Sequence, residues 1–121
     1  MLIDTSVIIA CLNAEPKATV MLSEWRREGR ALLLSAITTA EALALPSVSQ
    51  AEVNRIRGFL RNFISIPFDD PIAEIAASLR RTYRLELPDA GIAATAMVRD
   101  VPLVTRDRQF RKVRELTMVE I

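Results

Sequence analysis

Histidine is absent from the 121 residues. A Ser-His-Asp triad, a histidine-ligated metal and a histidine general base are thereby excluded, and acid and base work falls to carboxylates. Cys11 is the only cysteine. It rules out an internal disulfide, a cysteine zinc cluster and a CxxC redox pair, and reads as a small core residue. The three glycines, Gly29, Gly58 and Gly91, assemble into neither GxGxxG nor GxxxxGK[ST], so the nucleotide-binding loops are missing as well. Aromatics make up 5% of the chain, and none sits in a motif that suggests base stacking. No apolar run approaches the ~18 to 20 residues that span a bilayer, and no basic segment opens the chain. A cytoplasmic protein without a membrane anchor is expected.

What is present is a folding composition. Half the residues are hydrophobic, and the length suits one domain, 1–121, with a core of its own. The net charge is only +1, which gives no global pull toward nucleic acid. Yet fourteen of the sixteen cations are arginine, whose planar fork suits bidentate contact with phosphate or carboxylate.

Short apolar runs at 1–3 (MLI), 31–37 (ALLLSAI), 63–68 (FISIPF), 101–105 (VPLVT) and 116–121 (LTMVEI) predict five strands. Between them, Ala18, Met21, Leu22 and Trp25, then Val53, Ile56, Leu60 and Phe63, then Ile72, Ile75, Ala76, Leu79 and Tyr83 recur at helical spacing. Strands alternating with helices predict an α/β sandwich, and the near-continuous apolar character of ALLLSAI and VPLV suits strands buried on both faces of a largely parallel sheet.

In a parallel sheet the carboxyl ends of all strands share one edge. Asp4 ends the first strand, Glu41 lies about one turn into the helix after the second, and Asp107 follows the strand 101–105. Asp89 opens a helix that runs to about Arg99 and must return antiparallel to that strand, which brings its start to the same edge. The helix before it, 71–86, has to turn aside to allow this. Each acid also has a plain role open to it. Asp4, Asp89 and Asp107 are each placed to cap a helix or turn, and Thr38 with Glu41 matches a capping box. Four carboxylates on one edge repel, however, so their pKa values rise or a cation joins them. Oxygen donors with no His or Cys select Mg²⁺ or Mn²⁺. Such an ion lowers the pKa of bound water and neutralises charge during in-line displacement at a phosphodiester.

Taken in order, LIDTSVII, LLLSAITTAEAL, LPDAGIAATAM and PLVTRDRQF resemble the PIN-domain family, and most closely the small VapC-type toxins of bacterial and archaeal toxin-antitoxin modules. The resemblance covers essentially the whole chain. It implies a metal-dependent endoribonuclease with a five-stranded parallel sheet, strand order near 3-2-1-4-5, helices on both faces in three layers, and a homodimer. It makes Asp4, Glu41, Asp89 and Asp107 the catalytic, metal-holding quartet, with Asp107 at the position where the family varies. Thr5 or Ser6, and Thr105, stand where supporting hydroxyls occur, turn and cap hydrogen bonding being their other role. It also implies RNA as substrate, a cognate antitoxin whose C-terminal tail wraps the toxin and blocks the acidic pocket, and contact with DNA only through that antitoxin.

Arg106 and Arg108, beside Asp107 in TRDRQFRKVRE, are placed to hold RNA phosphates against an otherwise repulsive acidic pocket. Arg80, Arg81 and Arg84 form a second cluster that reads as a solvent stripe. Two rival classes remain. A Mg²⁺-dependent phosphotransfer domain would also place Asp at strand ends, but Ser6 stands where a haloacid-dehalogenase-like phosphatase needs a second Asp. The paired Asp69 and Asp70 that would suit a response-regulator receiver precede Pro71 and read as a helix start. The other rival is a PIN-like module that binds RNA or a partner without cutting.

Overall fold

Leu2 and Ile3, the first strand, are both fully buried but on opposite faces, Leu2 in one apolar cluster and Ile3 in the other. Leu103 and Val104 divide in the same way, as the period of two of a strand requires. The computed structural model describes residues 1–46 and 48–121. Its strands are β1 (Leu2–Ile3), β2 (Leu33–Ser35), β3 (Ile64–Ile66), β4 (Leu103–Thr105) and β5 (Met118–Glu120). They pair in parallel throughout, in the order β3-β2-β1-β4-β5. The apolar runs predict the five largely parallel strands, and their order is the one that the resemblance implies.

The helices among the described residues are α1 (Thr5–Leu12), α2 (Pro16–Arg27), α3 (Ala36–Leu43), α4 (Gln50–Leu60), α5 (Asp70–Tyr83) and α6 (Leu87–Arg99). Val7 and Ile8 of α1, Ala18 and Leu22 of α2, Ala42 of α3 and Ile56 and Leu60 of α4 share one cluster with Ile3, Leu34 and Val104. On the other face, Ile72, Ala76 and Leu79 of α5 and the alanines of α6 pack with Leu2, Ile66 and Leu103. Both faces of the sheet are thus covered, which parallel strands need.

The strands are shorter than the apolar runs that announced them. The run 31–37 stops as a strand at Ser35, whose Oγ accepts the Ile37 N–H at 3.1 Å and caps α3. The helix therefore starts at Ala36, and the capping box read at Thr38 and Glu41 is not formed. Thr38 is a buried residue inside the helix, and Glu41 lies in its second turn rather than its first. Phe63 lies beyond α4 and just ahead of β3.

Asp69 Oδ1 accepts the Ile72 N–H at 3.1 Å and starts α5 next to Pro71, as a helix start predicts. The helix ends at Tyr83 rather than 86 because Arg84 takes a left-handed conformation, φ 56°. This turns the chain into α6, which starts two residues before Asp89, and its small residues let α5 pack closely along it. Gly91 serves the other side: a Cβ there would lie 2.2 Å from Ile37 Cδ1 and 3.2 Å from the Phe68 ring, so the bare backbone lets α6 approach α3. Only Asp100, Val101 and Pro102 separate α6 from β4. The helix must run back along the strand, and its N-terminus comes to the carboxyl edge.

Candidate active site

Asp4 leaves β1 and precedes α1, yet its side chain caps nothing. It is 3% exposed, and a carboxylate so buried needs donors. Ser6 Oγ donates to its Oδ2 at 2.6 Å and Thr105 Oγ1 donates to the same oxygen at 2.7 Å. Those hydroxyls are themselves held: Ser6 Oγ accepts the Arg106 N–H at 3.2 Å, and Thr105 Oγ1 accepts the Asp107 N–H at 2.9 Å. The ends of β1 and β4 are thereby tied together through Asp4.

Thr5 serves a different acid. Its hydroxyl donates to Glu41 Oε1 at 2.7 Å and lies 3.0 Å from the Thr38 hydroxyl. This bridge joins α1 to α3 across 36 positions of sequence. Asp107 does cap: its Oδ1 accepts the Gln109 N–H at 2.9 Å and starts the short 3-10 turn Arg108–Lys112. Phe110, 1% exposed, anchors that turn in the core.

Asp89 sits in the first turn of α6, not at its cap, which is Glu86. A helix N-terminus ordinarily favours an anion. Here the carboxyl is instead pushed up from 3.8 to about 6, first by burial and then by the charges of Asp4, Asp107, Glu41 and Glu86. The other three acids singled out in the sequence, Asp4, Glu41 and Asp107, are therefore within electrostatic reach of Asp89. Glu86, three residues before Asp89, adds a fifth charge that the sequence reading passed over. The same spacing that marks one face of a helix could have found it.

The donor types suit a hard cation, being carboxylate and hydroxyl oxygens without imidazole or thiolate. Among the described residues no three acidic side chains already form a closed set of ligands. Asp4, Glu41 and Asp107 are held by hydroxyl and amide donors. Of the two basic candidates, Arg106 Nη1 pairs with Glu15 Oε2 at 2.5 Å, a partner that nothing in the local sequence suggests. Arg108 is exposed at the start of the 3-10 turn and joins none of the ion pairs among the described residues.

Residues 1–116 match the family model of the PIN domain. Ribonuclease VapC19 of Mycobacterium tuberculosis is 33% identical over 109 residues, 86% of each chain. A toxin-antitoxin complex from Klebsiella pneumoniae contains a chain of similar structure, with TM-score 0.83, 30% identity, and coverage of 99% of this chain and 98% of that one. FitAcB from Neisseria gonorrhoeae gives TM-score 0.77 and 28% identity over 98% of this chain and 96% of the other. A sheet in the order 3-2-1-4-5, acids gathered at its carboxyl edge and likeness over nearly the full length lead to one assignment: the chain belongs to the PIN domain family.

Proposed function

We propose that this chain is a divalent-metal-dependent endoribonuclease, a VapC-type toxin that acts in the cytoplasm as a homodimer and is silenced by a cognate antitoxin. The observation that carries the reading is the Asp89 carboxyl, pushed up to about 6 beside Asp4, Glu41 and Asp107. A carboxyl pushed up by neighbouring negative charges is relieved when positive charge is supplied. The name of the 33% identical relative, a ribonuclease, supports RNA as the substrate, and the toxin-antitoxin complex among the similar structures supports an antitoxin partner. Contact with DNA would come only through that antitoxin.

Asp4, Glu41, Asp89 and Asp107 hold Mg²⁺ or Mn²⁺ in this reading. The bound ion supplies a more acidic water and offsets charge on the phosphodiester during displacement. The chain's own residues set the stage for it. Ser6 and Thr105 fix the Asp4 carboxylate against rotation, and Thr5 does the same for Glu41. Such outer partners keep ligands in the placement that the chemistry needs. Arg108 offers a phosphate contact at the rim, and Arg106 would do so on release from Glu15.

Purified protein incubated with a mixed cellular RNA pool and Mg²⁺ or Mn²⁺ tests the proposal. Discrete fragments that vanish with EDTA and in Asp4→Asn are the expected result. Intact RNA under conditions where metal binding is confirmed would shift the reading to phosphotransfer or to a non-cutting role. Expression of the chain alone should arrest growth, and normal growth of cells containing folded protein would count against the toxin reading.

A further inference from the structure

The arginines near the carboxyl edge are unequally committed. Arg106 is neutralised by Glu15, and Arg111 is held by both oxygens of Glu120, at 2.6 and 2.9 Å. Arg80 and Arg84 join none of the ion pairs among the described residues. They line a hollow of about 290 Å³ with Leu85 and Glu86. Arg80 Nη1 donates to the Leu85 carbonyl oxygen at 3.1 Å, a contact that orients the guanidinium without cancelling its charge. The hollow is linked to the acids through Glu86, one of its walls, which stands at the N-cap position of the helix that carries Asp89 and whose charge acts on that carboxyl.

Arg84 adds a second observation. It ends α5 at φ 56°, a left-handed conformation that glycine adopts without strain and a long side chain does not. For the fold alone, glycine is the better residue there. Arginine puts a guanidinium at the hollow and accepts the strain, a pattern associated with functional positions.

We propose that Arg80 and Arg84 form a phosphate subsite that grips a backbone phosphodiester of single-stranded RNA beside the acidic edge. Guanidinium forks match phosphate oxygens bidentately. Two such contacts bring the strand toward acids that would otherwise repel it. Glu86 opposes the anion from one wall, so it confines the phosphate to the arginine side. The solvent stripe read from the sequence thereby becomes part of the substrate path. This inference rests on the ribonuclease reading, and its test keeps the two apart.

The test measures binding of a fluorescein-labelled oligouridylate by anisotropy across a KCl series at constant Mg²⁺, with Asp4→Asn as background so that the probe stays whole. Cleavage is assayed in parallel without that substitution. Adding Arg80→Ala with Arg84→Gly should weaken binding about tenfold at low salt and reduce the slope of log affinity against log salt by ~0.7, the loss of one phosphate contact on a single strand. Arg84→Gly alone should keep or raise the melting temperature while binding falls, which separates a ligand contact from a structural one. Arg106→Ala should change the slope less than the double substitution. Cleavage that persists in the double variant with an unchanged salt slope would overturn the subsite alone. A reduced slope in a protein that never cuts RNA would uphold the subsite and overturn the nuclease.

Discussion

The two edges of the sheet differ in a way that shows how chemistry is located in this fold. A hollow of about 400 Å³ lies where β4 and β5 begin, between Ala96, Met97, Asp100, Val101, Pro102, Glu115, Leu116 and Thr117. The opposite edge, where the strands end, has the charges of Asp4, Glu41 and Asp107 bearing on Asp89. Pocket size points to the first edge as a default site. A perturbed titration with identified charge partners points to the second, and the second is where independent segments of sequence converge. A depression between loops needs no specific residues. Four acids delivered to one place by β1, α3, α6 and the turn after β4 oppose the fold electrostatically and need a reason to be there.

Substitutions at the two edges should therefore have unequal effects. The largest is expected for Asp4→Asn and Asp89→Asn, which should reduce RNA cleavage by more than the ~10- to 100-fold typical of losing an outer partner of a metal site, with circular dichroism unchanged. Unfolding of both variants would make the acids structural and erase the contrast. Next comes Thr105→Val, which removes the 2.7 Å hydroxyl donor from Asp4. It should cost ~10- to 100-fold in rate, measured as initial rates at saturating Mn²⁺.

Much of this contrast was legible in the chain. All five strands appear as apolar runs, and parallel pairing alone puts Asp4, Glu41, Asp89 and Asp107 on one edge. The misreadings came where a local pattern was satisfied by a distant partner. Thr38 and Glu41 look like a capping box, but Ser35 caps earlier and Glu41 takes its hydrogen bond from Thr5. The run 31–37 is longer than its strand because Ala36 and Ile37, as apolar as a strand, belong to a helix. The pairing of Arg106 with Glu15 spans 91 positions and has no local signature. The turn between α5 and α6 depends on a left-handed arginine, a conformation that residue type argues against rather than announces.

Proton linkage gives a smaller but more specific test. The Asp89 pKa is raised by folding, from its ordinary 3.8 to about 6, so the folded state binds the proton more tightly than the unfolded state does. That group favours folding below about pH 4 and loses this contribution as pH rises through about 6. Melting temperatures of metal-free wild type, compared with Asp89→Asn, should diverge over that interval, with the variant the more stable at neutral pH. Mn²⁺ should reverse the ranking. Parallel melting curves across the interval would deny the repulsion. At the amino edge the smallest effect is expected. Thr117 is exposed beside the large hollow, and Thr117→Ala should leave both stability and cleavage within the ~0.5 kcal/mol, or roughly twofold, usual for such a surface change. A strong loss of cleavage there would give the larger hollow a role in the reaction.

Calorimetric titration of the purified chain with Mn²⁺ near pH 6, in buffers of different ionisation enthalpy, tests the central claim most directly. If the four acids form one cation site, Mn²⁺ binds with release of a fraction of a proton from Asp89, and Asp4→Asn, Glu41→Gln, Asp89→Asn and Asp107→Asn each weaken binding, with proton release lost in Asp89→Asn. Binding that none of these substitutions weakens, or that leaves the proton count at zero in the wild type, would contradict it.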